Sequence, residues 1–97
     1  SLEQAKVDIE TNVQRAFTDA QAALKSYQAA RKSLTAQELA FENSQERYNI
    51  GAMNAFDLEQ TRIRLINAQA GLINAKYDFV FKTKVLDFFI GKQIIID

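Results

Sequence analysis

Residues 46–60 read ERYNIGAMNAFDLEQ, and this short run holds both the end of one helix and the start of another. Gly51 follows Tyr48-Asn49-Ile50 and suits the left-handed residue that terminates a helix. Asn54 can cap the helix that follows, with Asp57 three residues on as a capping-box partner. Met53 and Leu58 then fall at the two hydrophobic-staple positions. The spacing predicts a helix over about 2–49, a turn over about 50–54 and a second helix over about 55–90. So short a loop forces the two helices to lie side by side and antiparallel.

Outward from the turn, both arms follow a seven-residue rhythm. Before it, Val13, Ala20, Tyr27, Leu34, Phe41 and Tyr48 form one column, and Ile9, Ala16, Ala23, Ala30, Gln37 and Ser44 its companion. After it, Leu58, Leu65, Leu72, Phe79 and Leu86 alternate with Thr61, Ala68, Ala75, Lys82 and Phe89. Alternation at three and four is the a/d seam of a left-handed coiled coil. Ala at the companion positions lets the helices approach closely. Phe17 and Leu24 widen the first stripe, and Ile66, Ile73 and Val80 the second. A stripe wider than a/d implies more than one packing neighbour. The expected fold is therefore all-α: a long antiparallel two-helix coiled-coil hairpin packed into an oligomeric helical bundle or α-barrel.

The far end is less regular. Gly91 is expected to end the second helix, and Gln93-Ile94-Ile95-Ile96 has the β-branched character of a strand-like tail over 91–97. Pairing about Gly51 sets Ile90 opposite roughly residue 13, so residues 2–12 should overhang, with Leu2, Ala5 and Ile9 still apolar at helical spacing.

Composition narrows the function. The 97 residues carry 12 Lys plus Arg and 12 Asp plus Glu, a neutral balance that gives no electrostatic reason for nucleic acid, an anionic membrane or an acidic substrate. There is no Cys, His or Trp, so thiolate catalysis, imidazole base chemistry and the usual zinc sites are unsupported. A hairpin offers no cleft for paired carboxylates, so no catalytic residue, cofactor site or metal site is expected, and the chain reads as a non-enzyme. No apolar run reaches the 18 or so residues of a membrane-spanning helix. Neither a signal peptide nor the alternating segments of a membrane barrel are visible. The hairpin reads as one piece of a larger protein, any membrane part lying outside these residues.

The stretch "ERYNIGAMNAFDLEQTRIRLINAQAGLINAKYDFVFKTKVLDFFIG" resembles the tip and returning helix of the TolC-type outer-membrane efflux family. The match is good over roughly residues 38–92; residues 2–37 share rhythm and Ala content. The resemblance implies a second periplasmic hairpin of a homotrimer, a wall segment of a passive export duct fed by an inner-membrane pump. It implies that Arg47, Tyr48, Asn49, Ile50, Gly51, Ala52, Met53 and Asn54 form a tip that docks a periplasmic adaptor. Asp57 matches a position that in some members rings the tunnel entrance; the second acidic position one turn on is here Gln60. Asp57 as a plain helix-capping acid stands beside that reading. The alternative function is a periplasmic adaptor or generic dimerisation coiled coil acting through protein contact alone. Localisation follows the resemblance: cell outer membrane, with this segment in the periplasm and the membrane reached only through β-barrel segments elsewhere in the protein.

Overall fold

In a computed structural model, residues 1–96 are described. They form two helices, α1 (Leu2–Asn49) and α2 (Ala55–Ile96), side by side in a rod of 73 × 15 × 14 Å. At about 1.5 Å rise per residue, the 48 residues of α1 account for the whole length of the rod. Nothing in α1 interrupts it: Pro is absent and no Gly falls within it. Ser1 caps its start, its Oγ accepting from the Gln4 N–H at 3.2 Å.

The heptad seam is where the rhythm puts it. Ile9, Ala16, Ala20, Ala23 and Ser44 of α1 are buried, as are Leu58 and Thr61 of α2. The other seam positions are half-buried, except Tyr48 at the tip, which is exposed. Small residues on α1 allow aromatic residues on α2 to cross the interface. Tyr27 and Phe79 stack with ring centroids 6.0 Å apart and planes 7° from parallel, a contact worth about 0.5–1.5 kcal/mol beyond its area.

Near the tip the seam becomes polar. Ser44 Oγ and Thr61 Oγ1 lie 3.2 Å apart in a buried contact, while Thr61 Oγ1 donates to the Asp57 carbonyl at 3.1 Å. Each hydroxyl has one proton. Thr61 has given its proton to the backbone, so Ser44 donates and Thr61 accepts. A slip of one heptad would set Ser44 against Ala68 or Asn54 and Thr61 against Gly51 or Gln37, and in either case would break this buried pair.

Two expectations are corrected at the far end. The strand-like tail at 91–97 is not a strand: α2 runs through Gly91 to Ile96, and Asp97 lies outside the described residues. A lone strand has no partner for its backbone groups, whereas the seam continues through Leu86, Phe89 and the half-buried Gln93. Ile costs a running helix only a few tenths of a kcal/mol. The longer α2 also shortens the overhang. Its last turns come alongside Ile9, which is buried, so the open end is the first two turns, where Leu2 and Val7 are exposed.

A Cβ added at Gly91 meets nothing within 4 Å. Gly91→Ala is therefore expected to raise stability by up to about 1 kcal/mol, read as a higher midpoint in a circular-dichroism melt. An unchanged or lower midpoint would mean that residue 91 is not in a helix.

Candidate functional site

The tip is closed by backbone hydrogen bonds of one motif. Ile50 is the C-cap of α1 at φ −95° and ψ 8°, and its N–H donates to the Glu46 carbonyl at 3.2 Å. Gly51 follows at φ +80°, the left-handed region that a β-carbon disfavours. Its N–H donates to the Tyr48 carbonyl at 3.0 Å, and the Ala52 N–H donates to the Arg47 carbonyl at 2.7 Å. These two bonds make a Schellman motif, which satisfies carbonyls that the end of α1 would leave open.

Asn54 starts α2 at once. Its Oδ1 accepts from the Asp57 N–H at 2.8 Å, and its carbonyl accepts from the Leu58 N–H at 3.2 Å. Among the described residues no bond returns from the Asp57 carboxylate to the Asn54 N–H, so the capping box has only its first half. Asp is one methylene shorter than the Glu that usually closes the box. Asp57 is left exposed, its charge at the positive end of α2. Met53 is half-buried and Leu58 buried, as staple positions require.

The tip residues therefore stand together at one end of the rod. Arg47, Tyr48 and Asn49 form the last turn of α1; Ile50, Gly51, Ala52 and Met53 make the bend; Asn54 opens α2. Asp57 and Gln60, three apart and both exposed, share one side of the first turns of α2. The bend is apolar and open to solvent: Ile50 is 81% exposed and Phe56, just inside α2, 69%. Phe56 belongs with the tip although the seam pattern passes over it. An aromatic off the seam in the first turn of a helix is the signal for it.

The charged flanks differ from a simple solvated surface. Arg62 pairs with Glu59 at 3.3 Å, and its guanidinium lies 5.4 Å from the centre of the Phe41 ring across the seam. Both ionic partners are half exposed, so the pair itself adds little; the cation over the ring covers one edge of the interface. Lys82, at a seam position, lays its stem along the interface and reaches Asp78 at 3.6 Å.

Asn54→Ala is expected to cost about 1 kcal/mol, because it removes the one side chain that caps α2. Asp57→Ala should cost less, about 0.3–1 kcal/mol and only at low salt, since its role there is electrostatic. Urea melts of both variants at low and high salt check this. An Asp57 loss that is larger than the Asn54 loss, or independent of salt, would contradict the half-box.

One protein-family model, described as outer membrane efflux protein, matches residues 1–92. No curated protein and no solved structure matches the chain.

Proposed function

The chain belongs to the outer membrane efflux protein family, and on that premise we propose that it is a wall segment of a trimeric export duct. The family is one of transport and not of catalysis. In this reading the chain is one hairpin of a larger protein whose β-barrel segments hold it in the outer membrane. The hairpin stands in the periplasm and forms a passive conduit for molecules delivered by an inner-membrane pump through a periplasmic adaptor.

The observation that carries the reading is a hydrogen-bonded, closed tip on a rod too thin to cover its own apolar surface. Among the described residues, only Ile9 and Leu58 of the buried apolar residues are large, and no side chain is fully buried. A free-standing domain of this size needs a fuller core. Phe17, Leu24, Ile66, Ile73 and Val80, the residues that widen both stripes, are all exposed in the single chain. A wall built of several hairpins removes that surface from water. The alternative of an adaptor hairpin, or of a plain dimerisation coil, explains no feature that the duct leaves open.

The tip from Arg47 to Asn54 then serves as the adaptor-docking surface, with Ile50 and Phe56 as apolar anchors beside the Arg47 charge. Asp57 and Gln60 stand at the tunnel entrance. Three copies of Asp57 around a three-fold axis attract cations and repel one another, and Gln60 halves the charge that a doubly acidic entrance would hold.

Gly51→Val tests the tip. The positive φ strains any β-branched residue by about 1–2 kcal/mol, while the seam from Leu58 to Leu72 lies turns away. Efflux of a dye in cells carrying Gly51→Val in the whole protein is expected to fail, with trimer in the outer membrane at its normal level. Normal efflux with normal trimer would remove the docking role. Asp57→Ala is expected to leave assembly intact and to reduce the block of single-channel conductance by divalent cations; an unchanged block would leave Asp57 as a helix-start acid alone.

A further inference from the structure

Asp57 and Gln60 begin a column. Arg64, Asn67, Gly71 and Asn74 follow them on α2 at alternating intervals of three and four, so all six lie along one side of the helix, and all are exposed. None carries an apolar side chain. The exposed Ile63, Ile66, Ile73 and Val80 lie about 100° further round α2. The column is therefore the side of α2 that stays in water when its apolar side is covered.

Along this side a groove runs between the two helices. Arg64 and Asn67 of α2 face Ser33 and Gln37 of α1 across it. Ala30 and Ala68, half-buried seam positions, make its floor. At Gly71, which also lines it, an added Cβ would meet nothing within 4 Å, so the groove is open there. Each of its four polar side chains can donate a hydrogen bond, and no carboxylate lines it. Such a lining suits an anion, and a planar guanidinium above a floor of small residues suits a carboxylate that brings an apolar body with it.

The charges along the column leave Arg64 uncompensated. Among the described residues neither Asp57 nor Arg64 has an ion-pair partner, whereas Asp78, the next acid in the column, holds Lys82 at 3.6 Å. Arg64 stands seven residues beyond Asp57, about 10.5 Å along the axis. That exceeds the roughly 8 Å screening length at physiological salt, so the two charges act as separate steps: an acid at the mouth, then a cation two turns in.

We propose that the Arg64 groove is an anion-binding subsite on the inner wall of the duct, taking solutes that carry a carboxylate. The inference rests on the duct reading, in which Asp57 and Gln60 stand at the entrance and the rest of their column follows the lumen inward. Repeated in each copy, Arg64 sets a ring of positive charge behind the acidic ring, favouring anions where the mouth favours cations.

The test uses the whole protein in a planar bilayer under a potassium chloride gradient, with sodium benzoate as the probe of the groove. Benzoate is expected to reduce the single-channel current of the unmodified protein. Arg64→Gln, a change between two good helix formers at an exposed position, is expected to lose most of that block and to shift the reversal potential toward the potassium equilibrium potential. Arg64→Lys should hold the reversal potential near its original value. Lys76→Gln removes one charge on the other side of the seam and should change neither readout. A block and a reversal potential that Arg64→Gln leaves unchanged would overturn the proposal, as would equal losses in Lys76→Gln. A shifted reversal potential with an unchanged block would overturn the subsite too, since the charge would then act without holding an anion. In all three cases a conducting channel keeps the duct reading. A whole protein that opens no channel would remove that reading, and this inference with it.

Discussion

The backbone at Gly51 governs the whole structure. Among the described residues it alone has a positive φ, at +80°, and it reverses the chain within a single hydrogen-bonded motif. An L side chain at that angle meets its own carbonyl, so the reversal is tied to glycine at this one place. Once the chain is turned there, the rest is constrained. The helices are antiparallel and their tips cannot slide. Residues equidistant from the turn meet, and a shared heptad rhythm keeps them meeting for the full length of the rod.

Two local devices complete the register. The Ser44–Thr61 hydrogen bond sits in the seam close to the turn, and the Tyr27–Phe79 stack sits midway along it. The first is weak, about 1 kcal/mol net, but a slipped hairpin loses it and gains nothing. The second depends on the neighbouring alanines Ala20 and Ala23, which are buried and bring the backbones close enough for rings to cross. Neither device makes the interface thick. The apolar residues left outside the seam link structure to function: they are surplus for a hairpin and necessary for a wall of hairpins.

The hairpin itself was legible in the sequence because three signals of different kinds agree. Gly51 with Asn54 marks the turn, the seven-residue rhythm marks the faces, and the absence of Pro with so few Gly leaves both arms uninterrupted. The far end departs from the expectation because Gly91 and the Ile94–Ile96 run carry local preferences opposed to helix. Gln93, at the next seam position, is half-buried there, and Gln is easily taken for a surface residue. The Arg62–Phe41 contact was hidden for another reason. It joins residues 21 apart in the chain, and only the register of the closed hairpin brings them together. At the candidate site, the bend and its cap followed from residue type, whereas the exposed Phe56 follows from no seam column. The half-formed capping box turns on one methylene, a difference that the S/T/D/N…E/Q pattern does not resolve when Asp stands in the acidic place.

The maximum dimension of the chain in solution, from small-angle X-ray scattering across a concentration series, bears most directly on the turn at Gly51. A hairpin gives about 73 Å at every concentration, and lateral packing of hairpins thickens the cross-section without lengthening the particle. A chain that ran straight through residues 50–54 as one helix would extend to about 145 Å at about 1.5 Å per residue. A value near 73 Å, with a cross-section that grows with concentration, is the predicted result. A maximum dimension near twice that length would show that the chain does not turn at Gly51, and would contradict the structure at its base.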